Sequence, residues 1–132
     1  MGARLKKPDN PKERNLVKGA LRRVFSRSEL RRRVVAKSQI QHTDPTRPRV
    51  TKWSVCSECK GKVPTYQIEV DHVEPIIAVT ETLEALTWDA VVDRIWCNEE
   101  NLRAICQPCH RLKTKAENKA RREYKKKRGK NG

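Results

Sequence analysis

Cys56-Ser57-Glu58-Cys59 and Cys106-Gln107-Pro108-Cys109 are two Cys-x-x-Cys pairs, each with the turn spacing that brings two sulfurs to about 2.3 Å from a single zinc ion. Four thiolates close a tetrahedral structural site and leave no position for water or substrate, so any hydrolytic chemistry must come from other groups. Those groups are Asp71-His72, Asn101 and His110. A carboxylate and an imidazole from different elements make an open site for a divalent ion that keeps several waters, with phosphate oxygens completing its shell. On this reading His110, directly after Cys109, ligates a second metal; the competing reading makes it an alternate zinc ligand. Cys97 belongs to neither pair and reads as a small buried hydrophobe.

The elements that must position these groups are legible in outline. The run 65–72 alternates Tyr66, Ile68 and Val70 against Gln67, Glu69 and Asp71, which predicts a strand with one buried face. Pro75 limits that strand and allows a bend, which is needed because strict alternation sends Asp71 and His72 to opposite faces. Residues 101–106 read as a second short strand, and Pro108 suits the first turn of a helix that runs through Tyr124. The Lys125-Lys126-Lys127-Arg128 end reads as a frayed basic tail. Between 80 and 96, Leu83, Leu86, Trp88, Val91, Val92 and Ile95 describe an amphipathic helix with a break near Thr87. This acid-bearing segment is expected to pack rather than to touch a polyanion.

Upstream, residues 13–38 carry apolar side chains at helical spacing, which predicts a helix or a broken helical pair. Ser26 or Ser28 would cap the second piece, with Glu29 in its first turn. Asp44-Pro45 and Arg47-Pro48 then read as a linker. The expected division is a basic helical N-terminal arm and linker at 1–50, a compact domain with zinc knuckles at 51–116, and a basic helix end and tail at 117–132.

The chain has 132 residues with 31 Lys plus Arg against 16 Asp plus Glu, a formal charge of +15. Such an excess points to a polyanion as partner, with affinity falling steeply as salt rises because phosphate contacts release counterions. The basic arm includes Lys6 and Lys7 at its start and Arg22 and Arg23 within it. No long apolar run, signal peptide or lipidation signal is visible, which argues against a membrane and for a reducing cytoplasm. In that compartment paired cysteines hold metal more often than disulfides. The thin apolar content also favours a metal staple, because binding a metal to the folded state is itself folding free energy.

Taken together, CSEC, then VDHVEP, then NLRAICQPCHRLKT resemble the HNH endonuclease family over roughly 56–114, in its Cys-rich, zinc-containing branch. The connecting TWDAVVDRIWCNEENL and the basic KGALRRVFSRS helix are similar to those of small bacteriophage HNH proteins. The resemblance implies an α+β fold, the ββα-metal or His-Me finger core, carrying a four-cysteine structural zinc site at Cys56, Cys59, Cys106 and Cys109. It implies His72 as general base, Asp71 and His110 as ligands of a catalytic Mg²⁺, Mn²⁺ or other divalent ion, and Asn101 as the residue that orients the base or its loop. The longer stretch between His72 and Asn101 departs from the family pattern and leaves Asn98 as an alternative. The implied activity is hydrolysis of DNA phosphodiester bonds, by nicking or double-strand cutting, leaving 5′-phosphate and 3′-hydroxyl ends.

The physical chemistry is consistent with those roles. An imidazole exchanges its proton near neutral pH, which suits a general base, and an amide oxygen on its other nitrogen would fix tautomer and ring angle. Arg111, Lys113, Lys115, Lys119, Arg121 and Arg122 would line the last helix with phosphate contacts that position rather than specify. The expected partner is double-stranded DNA, met by a monomer or weak dimer in the cytoplasm, or the host cytoplasm for a phage-encoded chain, with phage packaging or recombination proteins as further partners. The rival reading is a non-catalytic zinc-ribbon protein that binds nucleic acid.

Overall fold

Asn10 and Ser28 decide where the first two helices begin. In the computed structural model, which describes residues 8–130, helix α1 (Pro11–Phe25) starts with Asn10 Oδ1 accepting from the Lys12 N–H at 2.8 Å. Pro11 stands in the first turn, where its missing N–H costs nothing, and Glu13 faces the positive end of the helix dipole. Helix α2 (Glu29–Ser38) is capped by Ser28, whose Oγ accepts from Arg31 N at 3.2 Å. Of the two candidate caps, Ser28 has the role; Ser26 closes the C-terminus of α1 and donates to the Arg23 carbonyl. Lys6 and Lys7, at the start of the basic segment, lie outside the described residues, as do the last two residues of the expected tail.

Strands β1 (Gln39–Ile40), β2 (Trp53–Val55) and β3 (Lys62–Pro64) form an antiparallel sheet in that order. The expected linker before β2 is a turn held by Asp44, whose side chain accepts from Thr46 N at 2.9 Å and whose carbonyl accepts from Arg47 N. Trp53 is buried, with the His42 ring set edge-on at 4.8 Å.

A second, two-stranded antiparallel sheet pairs β4 (Ile68–His72) with β5 (Leu102–Cys106), in register from Ile68 opposite Cys106 to His72 opposite Leu102. The strand expected over 65–72 is therefore shorter. Thr65–Gln67 wind into a 3-10 turn, pinned by Thr65 N donating to the Lys52 carbonyl and by the Ser54–Thr65 hydroxyl contact at 2.8 Å. That turn breaks the alternation, and Tyr66 is 68% exposed instead of buried beside Ile68.

Helix α3 (Trp88–Ile95) follows a 3-10 turn at Leu83–Ala85, and Thr87 is its N-cap, so the expected break falls at that residue. Helix α4 (Gln107–Lys130) continues past Tyr124 through the four basic residues expected to fray. The reason is composition: from Cys109 to Arg128 there is no glycine or proline, and Lys, Arg, Ala and Glu are good helix formers.

The helices meet the β4–β5 sheet in a main core, and Cys56, Ile105 and Cys106 form a second, smaller buried cluster. Phe25 of α1 and Val34 of α2 are buried with Ile68, Val91, Ile95 and Leu102. The N-terminal segment is thus integral to the packed body rather than an arm laid beside it. Its cations are partly neutralised internally: Arg14 is buried and pairs with Glu84, Lys37 pairs with Glu99, and Arg33 lies 3.5 Å from Glu99. Of the acid-bearing segment at 80–96, Glu84 pairs with Arg14 and Val91 and Ile95 enter the core, so that segment packs against the rest of the body. Overall the chain is α+β with small antiparallel sheets. Among the described residues no helix is long and apolar enough to cross a membrane.

Candidate metal centre and adjoining cleft

Cys56 and Cys59 sit on a knuckle turn. Cys56 N donates to the Gly61 carbonyl, Lys60 N donates to the Cys56 carbonyl, and Lys60 takes a left-handed backbone (φ 64°) to close it. Ser57 N donates to the Ala104 carbonyl at 2.9 Å and ties the knuckle to β5. Cys106 ends that strand and Cys109 lies in the first turn of α4, so the strand-to-helix junction supplies the second pair. The four sulfurs all lie within 4.8 Å of one another. Cys59 Sγ and Cys106 Sγ are 3.9 Å apart, close to the roughly 3.8 Å edge of a tetrahedron with 2.3 Å metal–sulfur bonds. The donor set and spacing could hold a metal ion such as zinc.

The thiols themselves register this crowding. Burial opposes ionisation of Cys56, but the N–H groups of Cys59, Cys106 and Glu58 outweigh it and lower the thiol to about 6. Cys109 is pushed up to about 12, first by the neighbouring Cys106 sulfur and then by burial. Cys106 is also raised, first by burial. Four sulfurs this close do not all ionise without a cation among them, and a divalent ion removes that conflict.

At the other end of the β4–β5 ladder lies a second group of polar side chains. His72 pairs with Leu102 four residues along from the Ile68–Cys106 pair, which places it about 13 Å away at the rise of an antiparallel strand. His72 Nε2 is 2.8 Å from the Ile95 carbonyl oxygen at the end of α3, and the Phe25 ring stacks at a tilt with centroids 5.3 Å apart. A carbonyl only accepts, so Nε2 carries the proton and Nδ1 of the neutral ring presents its lone pair.

Asp71 and Glu69 share the other face of β4, and α4 runs across that face. His110 Nδ1 meets Glu69 Oε2 at 2.6 Å, and one turn further Lys113 Nζ meets Asp71 Oδ2 at 2.7 Å and also the His72 carbonyl. Arg103, opposite Asp71 in the ladder, donates from Nε to the same Oδ2 at 3.2 Å. Asp71 Oδ1 is left without a partner among the described residues. His110 is held by its Nδ1, which orients Nε2 as a potential ligand in the way outer carboxylates orient metal-binding histidines.

Asp71, His72 and His110 line one cleft of about 370 Å³, despite the opposite faces that strand alternation assigns to the first two. The cleft wraps the end of β4, where Pro75 and Ile76 carry the chain round. Asn101 does not reach the His72 ring. Its Oδ1 accepts from Glu74 N at 2.9 Å and its carbonyl accepts from Val73 N at 2.8 Å, so it fastens the loop that leaves His72. The oxygen on the imidazole is the Ile95 carbonyl, not the amide expected from sequence. Asn98 enters only through its carbonyl, which accepts from Asn101 N.

Of the expected DNA-contacting cations, Arg22, Lys113 and Arg121 line the cleft, and Lys113 is engaged there with Asp71 and with Glu117 at 3.2 Å. Arg122 borders a separate groove, and Arg23, Arg111, Lys115 and Lys119 are exposed outside the cleft. Sequence reasoning did not single out Glu69, although it shares the i, i+2 face with Asp71. The Ile95 carbonyl carried no signal at all, since a backbone acceptor has no side-chain signature. No family model, curated protein or solved structure matches the chain.

Proposed function

We propose that the chain is a metal-dependent DNA endonuclease of the HNH type, with β4, β5 and α4 as a ββα-metal core and the four cysteines as its structural zinc site. The observation that carries this reading is that His72, with Nε2 committed to the Ile95 carbonyl, shares one cleft with Asp71 and His110. Asp71 Oδ1 and His110 Nε2 are the groups that would hold a divalent ion. Such an ion, when bound, neutralises charge on the phosphate and on the departing 3′ oxygen. His72 Nδ1 takes a proton from water as the water oxygen bonds to phosphorus, the phosphorus–O3′ bond breaks, and a solvent water protonates the departing 3′ oxygen, leaving a 5′-phosphate and a 3′-hydroxyl. Asn101 holds the loop behind the base. A single centre per chain suits nicking.

One observation favours the rival, a zinc-stapled protein that binds nucleic acid without cutting it: Asp71 already accepts from Lys113 and Arg103. Supercoiled plasmid incubated with Mg²⁺ or Mn²⁺ separates the two. The endonuclease reading expects nicking by the wild-type chain and none by His72→Ala at unchanged zinc content. Equal nicking by His72→Ala would remove His72 from the mechanism, and plasmid binding without nicking across divalent ions would establish the rival.

A further inference from the structure

The same cleft holds more positive charge than its chemistry uses. Lys18 and Arg22 of α1, Arg31 of α2, and Lys113 and Arg121 of α4 line it. Its two carboxylates beside the histidines, Asp71 and Glu117, are both taken by Lys113. Among the described residues, no carboxylate pairs with Lys18, Arg22, Arg31 or Arg121.

Lys18 and Arg22 of α1 and Arg121 of α4 line this same cleft. Lys18 is half-buried, and its ammonium is held below the usual lysine range first by burial and then by Arg22 and Arg121. Arg121 spends Nη2 on the Ile77 carbonyl at 2.6 Å, while its Nε is buried with no acceptor. Like charges gathered in one cleft with no carboxylate paired to them are costly, and an anion bound between them relieves that repulsion.

We infer that Lys18, Arg22 and Arg121 form a built phosphate site beside His72, which takes one non-scissile phosphate of the nucleic-acid backbone. This rests on the endonuclease reading for the identity of the ligand, though the anion site itself stands on the cation cluster alone. The exposed Arg22 supplies a planar fork, Lys18 a point charge and Arg121 a further cation fixed by its bond to Ile77. Because α1 comes from the segment ahead of the zinc knuckles, the site makes that segment a positioning element for the strand entering the cleft. It would set which phosphodiester lies opposite His72.

The test uses the full zinc-loaded chain with no other divalent ion. Inorganic phosphate is titrated while the arginine Nε–Hε resonances are followed by NMR, with Arg121→Lys assigning the Arg121 signal. A saturable movement of that signal is expected, weakened about tenfold in Lys18→Gln, the size of one charge-assisted hydrogen bond. In parallel, duplex binding is measured against salt. The Lys18→Gln/Arg121→Gln double variant should lose about one phosphate contact, a drop of about 0.9 in the logarithmic slope.

An immobile Arg121 signal, or one that moves equally in Lys18→Gln, overturns the site. A slope unchanged in the double variant, or lowered by two contacts, overturns a single shared backbone phosphate. A chain that passes both measurements yet never nicks plasmid keeps the phosphate site and loses the endonuclease reading.

Discussion

Glu69 Oε2 lies 2.6 Å from His110 Nδ1, so the histidine that follows the second cysteine pair is oriented by a strand carboxylate and does not turn toward the sulfurs. A carboxylate on the far nitrogen fixes the ring and raises its basicity as a ligand, and losing such a partner typically costs about 10–100-fold in metal affinity or activity. On the proposed endonuclease reading, Glu69→Gln should raise the Mg²⁺ or Mn²⁺ concentration needed for half-maximal nicking by about tenfold or more, leaving zinc content unchanged. Loss of zinc from this variant would instead place His110 in the sulfur-bound centre.

The cysteine cluster predicts a distinctive titration. Cys56 is lowered from an ordinary value of 9.0 to about 6, so in the metal-free chain its stabilising contribution is complete above pH 9 and is lost as pH falls through about 6. Cys109, raised to about 12, has the opposite sign: its contribution is complete below pH 9 and is lost as pH rises toward 12. Thiolate absorbance of the metal-free chain should show an early step near pH 6 that Cys56→Ser removes. Zinc binding at about pH 7 should release protons, measurable in a weakly buffered titration, since most of the four thiols must ionise on binding.

The loop between β4 and α3 depends on a carboxylate clamp. Arg94 reaches both oxygens of Glu81, at 2.6 and 3.1 Å, and also the Ile76 carbonyl, while Ala78 N donates to Glu81. The Arg94 hydrogen bonds first, and the Ala78 N–H next, hold the Glu81 carboxyl below its ordinary 4.5. A depressed carboxyl stabilises the fold above its unfolded value and loses that contribution as pH falls through its folded one. Wild type should melt above Glu81→Gln at about pH 7, and the gap should close below about pH 4.5. A gap that persists into acid would mean the clamp acts through shape alone.

Ile95 has two jobs. Its side chain is fully buried and its carbonyl holds His72. Ile95→Val should cost about 0.5–1.5 kcal/mol and Ile95→Ala about 2–5 kcal/mol by chemical denaturation. If α3 sets the tautomer of His72, Ile95→Ala should also lower the nicking rate expected of the endonuclease reading under conditions where the chain remains folded, whereas Val34→Ala, a truncation of a buried side chain on α2, should not to the same degree.

Local patterns in the chain carried much of this. The helical spacing of 13–38, the Ser28 cap, the break at Thr87 and the strand expected over 101–106 and observed at Leu102–Cys106 depend on neighbours within a turn or two, and the spacing of the cysteine pairs encodes their turns directly. Tyr66 shows where local reasoning failed: period-two alternation promised burial, but contacts from Lys52 and Ser54 wound its segment into a turn. The helix running through Lys125–Arg128 failed for a different reason, because a run of like charge was weighed above the helix propensity of its residues.

The sequence by itself determined the two cysteine pairs, the Asp71-His72 step, His110 and the overall excess of cations, because identity and short-range spacing are sufficient for each. Only the tertiary structure decided which partner each of these groups meets. The Ile95 carbonyl on His72, Lys113 on Asp71 and Glu69 on His110 are contacts between residues distant in the chain, and Lys18 and Arg121 come from opposite ends of it to line one cleft. They are set by how α1, α3 and α4 pack on one hairpin, and no single segment contains the geometry that produces them.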